Sequence, residues 1–187
     1  MKFKTTPYHF DLLKDEERLS AFYEAIEELS TSQELAYDLG CGSGILSFFL
    51  NSYFKDIIAI EQDFKASRCA KENLKSFKNI EVVNEDVLKY DFSKKCDLIV
   101  CEMLDTALID EEEVPVLNHA RNYLKENGKI IPHGIINTIE LAHLERDYIH
   151  YDEDVNCKTL SKPVIYDEIN FLNDMTPSLS SFKSIFM

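Results

Sequence analysis

Three glycines at alternate positions, Gly40, Gly42 and Gly44, restrict this chain more than any other feature. They lie in Tyr37-Asp-Leu-Gly-Cys-Gly-Ser-Gly-Ile-Leu-Ser47, directly after Leu35, Tyr37 and Leu39, whose alternation reads as the end of a buried strand. Ile45 to Phe54 then reads as a helix. Strand, glycine turn and helix together make a cradle, where the backbone turns sharply and approaches a ligand with no Cβ in the way. The helix N-terminus adds free N–H groups. The spacing differs from the Gly-x-Gly-x-x-Gly of nicotinamide and flavin enzymes, and no Lys-Ser or Lys-Thr follows to make an ATP phosphate loop. A purely structural strand-to-helix turn is the alternative.

Along the chain, Leu19, Phe22, Tyr23, Ile26 and Leu29 recur at helical spacing, which predicts an amphipathic helix within residues 9–30 with Arg18 at its front. After the cradle, Ile57 to Glu61 reads as a second strand ending in a carboxylate. Glu61 lies 17 residues beyond Gly44, near the distance at which such folds place an acid on ribose hydroxyls. Asp63 caps a helix predicted over 64–77. Ile80–Val83 is a third strand, followed by Asp86 and Val87, an acid and an apolar residue suited to an adenine amino group and ring. Asp97–Glu102 is a fourth strand, again with an acid at its end. A helix from Val114 to Glu126, stopped by Gly128, and a strand from Lys129 to Pro132 complete an alternating series, which predicts a mostly parallel sheet flanked by helices. Asp38, Glu61, Asp86 and Glu102 then converge on one rim, outside the strand ends. Beyond a boundary near Gly134, residues 135–144 and 164–171 read as strands, 147–162 as polar loop and 176–187 as a tail, so 135–187 forms a short β-rich appendage to a 1–134 domain.

Composition narrows the partners. A net charge of −14 over 187 residues disfavours nucleic acid and attracts cations. No stretch is long and apolar enough to span a membrane, and the first residues lack the apolar core of a secretory signal. Five scattered cysteines, none in a Cys-x-x-Cys pair, argue against a zinc site or disulfide framework and for a reducing cytoplasm.

With Asp38 ahead of its glycines, the cradle resembles motif I of class I S-adenosylmethionine methyltransferases, which share this Rossmann-like α/β fold. Residues 8–145 as a whole resemble the protein arginine methyltransferase family. His9 followed by Leu12-Leu-Lys-Asp-Glu-Glu-Arg18 is similar to the helix preceding its cofactor domain. The resemblance implies that Arg18 clamps the cofactor carboxylate and that His9 lies against the cofactor site. It also implies that Asp38, Gly40, Cys41, Gly42, Glu61, Asp86 and Val87 bind S-adenosylmethionine. Glu102-Met-Leu-Asp-Thr-Ala-Leu-Ile-Asp-Glu111 is similar to the family's double-glutamate loop, its acids nine positions apart, and is closest to the branch making monomethylarginine. Two carboxylates suit a planar, always protonated guanidinium. Glu102 is the first catalytic candidate and Glu111 the second. Acids before a helix also stabilise its dipole, which is the plainer account of Glu111.

The chain departs from that family after Pro132. Only 55 residues follow and there is no Trp, so the C-terminal barrel with its Thr-His-Trp loop and dimerisation arm is largely missing. The expected function is S-adenosylmethionine-dependent methyl transfer to a protein arginine. The alternatives are transfer to a small molecule or another side chain, or a cofactor-binding subunit needing a partner. The substrate is a protein or a cationic small molecule, and a homodimer or partner subunit is compatible with the shortened cap. Phe171, Leu172, Phe182, Ile185 and Phe186 are the candidates for an exposed apolar patch where the barrel is missing, although a core role is the plainer reading of each.

Overall fold

A computed structural model describes residues 3–29, 33–104, 108, 111–144, 157–173 and 175. Its centre is a five-stranded parallel sheet in the order β3-β2-β1-β4-β5. The strands are β1 (Gln33–Leu39), β2 (Phe54–Ile60), β3 (Ile80–Val83), β4 (Cys96–Cys101) and β5 (Leu124–Ile131). The chain steps outward from β1 to β3 and then returns to lay β4 and β5 on β1's other side. This reversal creates a switch point between β1 and β4, where open parallel sheets bind ligands. Helices α1 (Pro7–Leu12), α2 (Glu16–Leu29), α3 (Ile45–Leu50), α4 (Phe64–Leu74) and α5 (Glu113–Ala120) accompany the sheet.

Strands buried on both faces read as apolar runs, and the last five residues of β1 are buried throughout. Ile26 of α2, Leu46 and Leu50 of α3, and Ile57, Leu98 and Ile131 of the sheet form the main core cluster. Register explains the rim. Leu39 pairs with Ile60 on one side and Cys101 on the other, so Gly40, Glu61 and Glu102 leave the sheet side by side.

Several boundaries differ from the sequence expectation. The N-terminal helix is two helices, α1 and α2. Of its expected apolar stripe, Ile26 is fully buried whereas Tyr23 is 40% exposed. The helix expected over 45–54 ends at Leu50, because Phe54 opens β2 opposite Gln33 and enters the core. The helix expected over 64–77 ends at Leu74. The helix expected over 114–126 ends at Ala120, followed by one 3₁₀ turn at Arg121–Tyr123. Gly128 is therefore no helix stop but part of β5, beside an irregularity where Cys96 pairs with Leu124 and Leu98 with Lys129. Pairing with β4 outweighs the helical pattern of the apolar residues there.

Contacts divide the chain into one unit running to His133 and resuming at Phe171, and a second unit, Gly134–Asn170. In the second unit β6 (Gly134–Ile139) pairs antiparallel with β9 (Val164–Asn170) and β7 (Ala142–Leu144) with β8 (Cys157–Thr159). The single strand expected over 135–144 is thus two. Part of the expected loop, Cys157–Thr159, is a strand held by backbone pairing that no side-chain pattern announces. Ile136, Ile139, Val164 and Ile165 are more than half exposed on this ribbon. Phe171 is fully buried and Leu172 is 39% exposed, while the tail 176–187, with Phe182, Ile185 and Phe186, lies outside the described residues.

Candidate active site

Two cavities of about 130 and 50 Å³ flank Gly40, over the ends of β1, β2 and β4. Glu61, Asp86, Val87, Met103 and Glu111 line the larger one. His9, Arg18, Cys41, Gly42 and Glu102 line the smaller. All but one of the expected site residues are thereby gathered around the glycine turn.

The turn needs its glycines. Gly40 and Gly42 have φ of +68° and +54°. A Cβ on Gly40 would meet Met103 Sδ at 2.8 Å, and one on Gly42 would meet His9 Cδ2 at 2.9 Å. His9 reaches that position because Thr6 caps α1 and its Oγ1 lies 2.7 Å from His9 Nδ1. Asn73 straps the N-terminal segment down. It accepts from Lys4 N–H at 2.8 Å and donates to Lys4 O at 2.8 Å and Ser43 O at 2.9 Å.

Glu61 is buried and doubly anchored. Its Oε2 accepts from Gly42 N–H at 2.9 Å and its Oε1 from Asp63 N–H at 2.7 Å. A carboxylate has about four lone-pair sites, so two stay open toward the cavity for hydroxyl donors. Asp86 accepts from Leu88 N–H at 2.9 Å and pairs with Lys89 at 2.8 Å, a bond that holds its carboxyl below the ordinary range. Val87 is buried beside it.

Asp38 is the residue that lines neither cavity. It lies beneath the turn and accepts the Ser47 hydroxyl at 2.5 Å, pinning the first turn of α3 to β1. Burial pushes its carboxyl up to about 7, against the opposing pull of the Ser47 bonds.

On the other side of Gly40, Arg18 Nη2 donates to Glu102 Oε2 and Nη1 donates to Leu12 O at 3.3 Å. Both partners of this ion pair are mostly shielded, at 20% and 18% exposure. Burial raises the Glu102 carboxyl while Arg18 lowers it, and burial prevails. Glu111 is exposed at the larger cavity and accepts from Tyr8 Oη at 3.5 Å. Burial and the Glu111 charge push the Tyr8 phenol up. Between the two glutamates, 105–107 and 109–110 lie outside the described residues, while Leu108 is buried with φ +56°. That left-handed conformation is strained for Leu.

Four participants escape the sequence reading: Ser47, Asn73, Met103 and Glu113. Ser47 lies one helical turn past the glycines and carries a usable signal, a hydroxyl facing a strand-end acid. The other three depend on long-range packing. Among the described residues no group of three or more His, Cys, Asp or Glu could hold a metal ion, and no helix is long and apolar enough to cross a membrane.

The donor set fits an adenosyl sulfonium cofactor. A buried acid faces the cavity for ribose hydroxyls, a glycine turn leaves space a Cβ would fill, and clustered carboxylates favour a cation. Comparisons with known proteins agree. A family described as a methyltransferase domain matches residues 36–128. An uncharacterised protein of Methanothermobacter thermautotrophicus is 49% identical over 94% of this chain and 69% of its own length. Ribosomal protein L11 methyltransferase of Thermoanaerobacter pseudethanolicus is 32% identical, over 62% of this chain and 36% of its own. Protein arginine N-methyltransferase 1.6 of Arabidopsis thaliana is 31% identical, over 74% of this chain and 21% of its own. Among solved structures, the Trypanosoma brucei PRMT1 enzyme–prozyme heterotetrameric complex with AdoHcy superposes with a TM-score of 0.80 at 17% identity. It covers 93% of this chain, which spans 65% of that one.

Proposed function

This chain belongs to the class I S-adenosylmethionine-dependent methyltransferases, and on that premise we propose that it methylates the guanidinium of a protein arginine. The observation that carries the acceptor is the placement of Glu102 and Glu111 on adjoining cavities, either side of Gly40. When bound, the cofactor supplies a methyl group on a sulfonium, open to in-line displacement. Glu61 would accept from its ribose, Asp86 and Val87 would receive the adenine, and an N–H of Arg18 would take its carboxylate. His9 and the Gly40-Cys41-Gly42 backbone close the cradle, with Asp38 fixing that backbone from below through Ser47. Glu102 and Glu111 hold the guanidinium by charge-assisted hydrogen bonds and concentrate electron density on the attacking nitrogen. Glu102, shielded and raised, is the better acceptor of the departing proton.

A second reading, transfer to another protein side chain, is favoured by the similarity to a ribosomal protein methyltransferase. A partner subunit or a second copy of the chain completes the acceptor site. Five free cysteines suit a cytoplasmic setting. The test is transfer of labelled methyl into a lysate matched to the protein's source, with E102Q alongside, followed by hydrolysis and separation of the amino acids. Label in methylarginine that vanishes with E102Q supports the arginine reading. Label in another residue or in a small molecule sinks it.

A further inference from the structure

Glu113 is a fully buried acid in the first turn of α5. An acid near a helix N-terminus gains from the dipole without burial, as exposed Glu111 and Glu112 do just before it. Burying a carboxyl is costly unless its oxygens are bonded. The Glu113 Oε2 atom accepts from Met103 N–H at 3.0 Å and Cys101 S–H at 3.4 Å. Among the described residues its Oε1 has no partner. Its two donors are the residues immediately before and after Glu102. One oxygen therefore ties α5 to the residues on both sides of the acid at the end of β4, through the Met103 backbone and the Cys101 side chain.

We propose that Glu113 is a positioning residue, holding the backbone that aims Glu102 at the acceptor; this rests on Glu102 acting in the transfer proposed above. The groups facing Glu113 are Cys101 on β4 and, through their charges, Glu102 and Glu111. Burial, then those two charges, push its carboxyl up to about 7, so near neutral pH a substantial share of it is the protonated acid. An amide in its place imitates that form and keeps an oxygen for Met103. Loss of the acceptor frees Met103 and lets Glu102 drift, and a drift near 1 Å costs about 100-fold in rate.

The experiment compares wild type, E113Q, E113A and E113D. In cofactor-free protein, exchange of the Met103 amide is followed by NMR. Cofactor affinity is measured by calorimetry, and kcat and KM with an arginine-containing peptide. In E113A we expect Met103 exchange to quicken about tenfold and kcat to fall about 100-fold, with cofactor affinity preserved. E113Q restores Met103 protection and most of kcat. E113D, one methylene shorter, withdraws its oxygen and behaves as E113A, which keeps the test open should E113A fail to fold. Equal Met103 exchange in all four proteins, or unchanged kcat in E113A and E113D, overturns the proposal. A wild type that methylates no arginine overturns the function proposed above instead, since Met103 exchange reads the brace without any substrate.

Discussion

The two sides of Gly40 are held by different kinds of bond. On the β2 side, Glu61 is fastened by two backbone N–H groups whose positions the fold itself dictates. On the β4 side, Glu102 meets the end of a long side chain, Arg18, while Glu111, in the cavity that Glu61 also lines, meets the phenol of an exposed Tyr8. Backbone donors cost no side-chain entropy to place, whereas an Arg or Tyr must be immobilised. The backbone thus fixes Glu61 before any ligand binds, which suits the ribose contact proposed for it. Glu102 would instead have to exchange Arg18 for the guanidinium proposed as its acceptor, since both compete for the same carboxylate.

The largest expected effect tests the exchangeable side. E102Q keeps the shape of Glu102 but removes the charge and the base on which the proposed transfer to a guanidinium depends. Transfer falls about 1,000-fold, while cofactor affinity by calorimetry stays within a few-fold. A comparable loss of cofactor affinity would merge the two sides and break the distinction between them.

The preformed side is tested next by E61A, which removes the proposed ribose acceptor and frees the Gly42 and Asp63 N–H groups. Hydrogen bonds to a charged group contribute about 1.5–3 kcal/mol each, so affinity for S-adenosylmethionine falls about 100-fold or more. At saturating cofactor kcat recovers most of its wild-type value, because Glu102 is untouched. A kcat that stays low would show that Glu61 also serves the acceptor.

The two sides were not equally legible from sequence. Strand ends are readable because apolar runs stop at an acid, so Glu61 and Glu102 announced themselves and parallel register placed them together. What each acid bonds to was not readable. Asp38 fits the motif pattern as well as Glu61 does, but it precedes the turn by two residues and points into the core, where it meets Ser47. Glu113 reads as one more member of an acid run, and only packing of α5 on β4 distinguishes it from Glu112. Gly128 reads as a helix stop because its neighbours keep a helical pattern, and pairing of β5 with β4 overrides them. Local pattern carries the elements; long-range contact decides the partners and the boundaries.

Asp38 supplies a pH test of that hidden layer. Its carboxyl titrates near 7 when folded and near the ordinary 3.8 when unfolded. Between these values the folded protein binds the extra proton, so stability falls as pH rises through the window and levels off above 7. A shift of this size corresponds to about 4 kcal/mol at most. D38N cannot ionise and keeps an oxygen for the Ser47 hydroxyl. Denaturant unfolding should show D38N and wild type nearly equal at pH 4, with D38N gaining steadily toward pH 7. A constant difference across that range would mean that Asp38 is not buried as an acid.

The smallest effect concerns the outermost contact. Tyr8 is 71% exposed and donates to Glu111 at 3.5 Å, the longest bond in the site. Exposed contacts of this kind contribute about 0–1 kcal/mol, so Y8F changes kcat/KM by about threefold or less. Its pH dependence is more informative than its size. Burial and Glu111 hold the phenol above its usual range, so Tyr8 stays a donor throughout the neutral region and Y8F should act equally at pH 6 and 9. If Y8F instead costs as much as E102Q, the phenol holds the acceptor rather than merely steadying Glu111. The first helix, α1, would then be one wall of the proposed acceptor site.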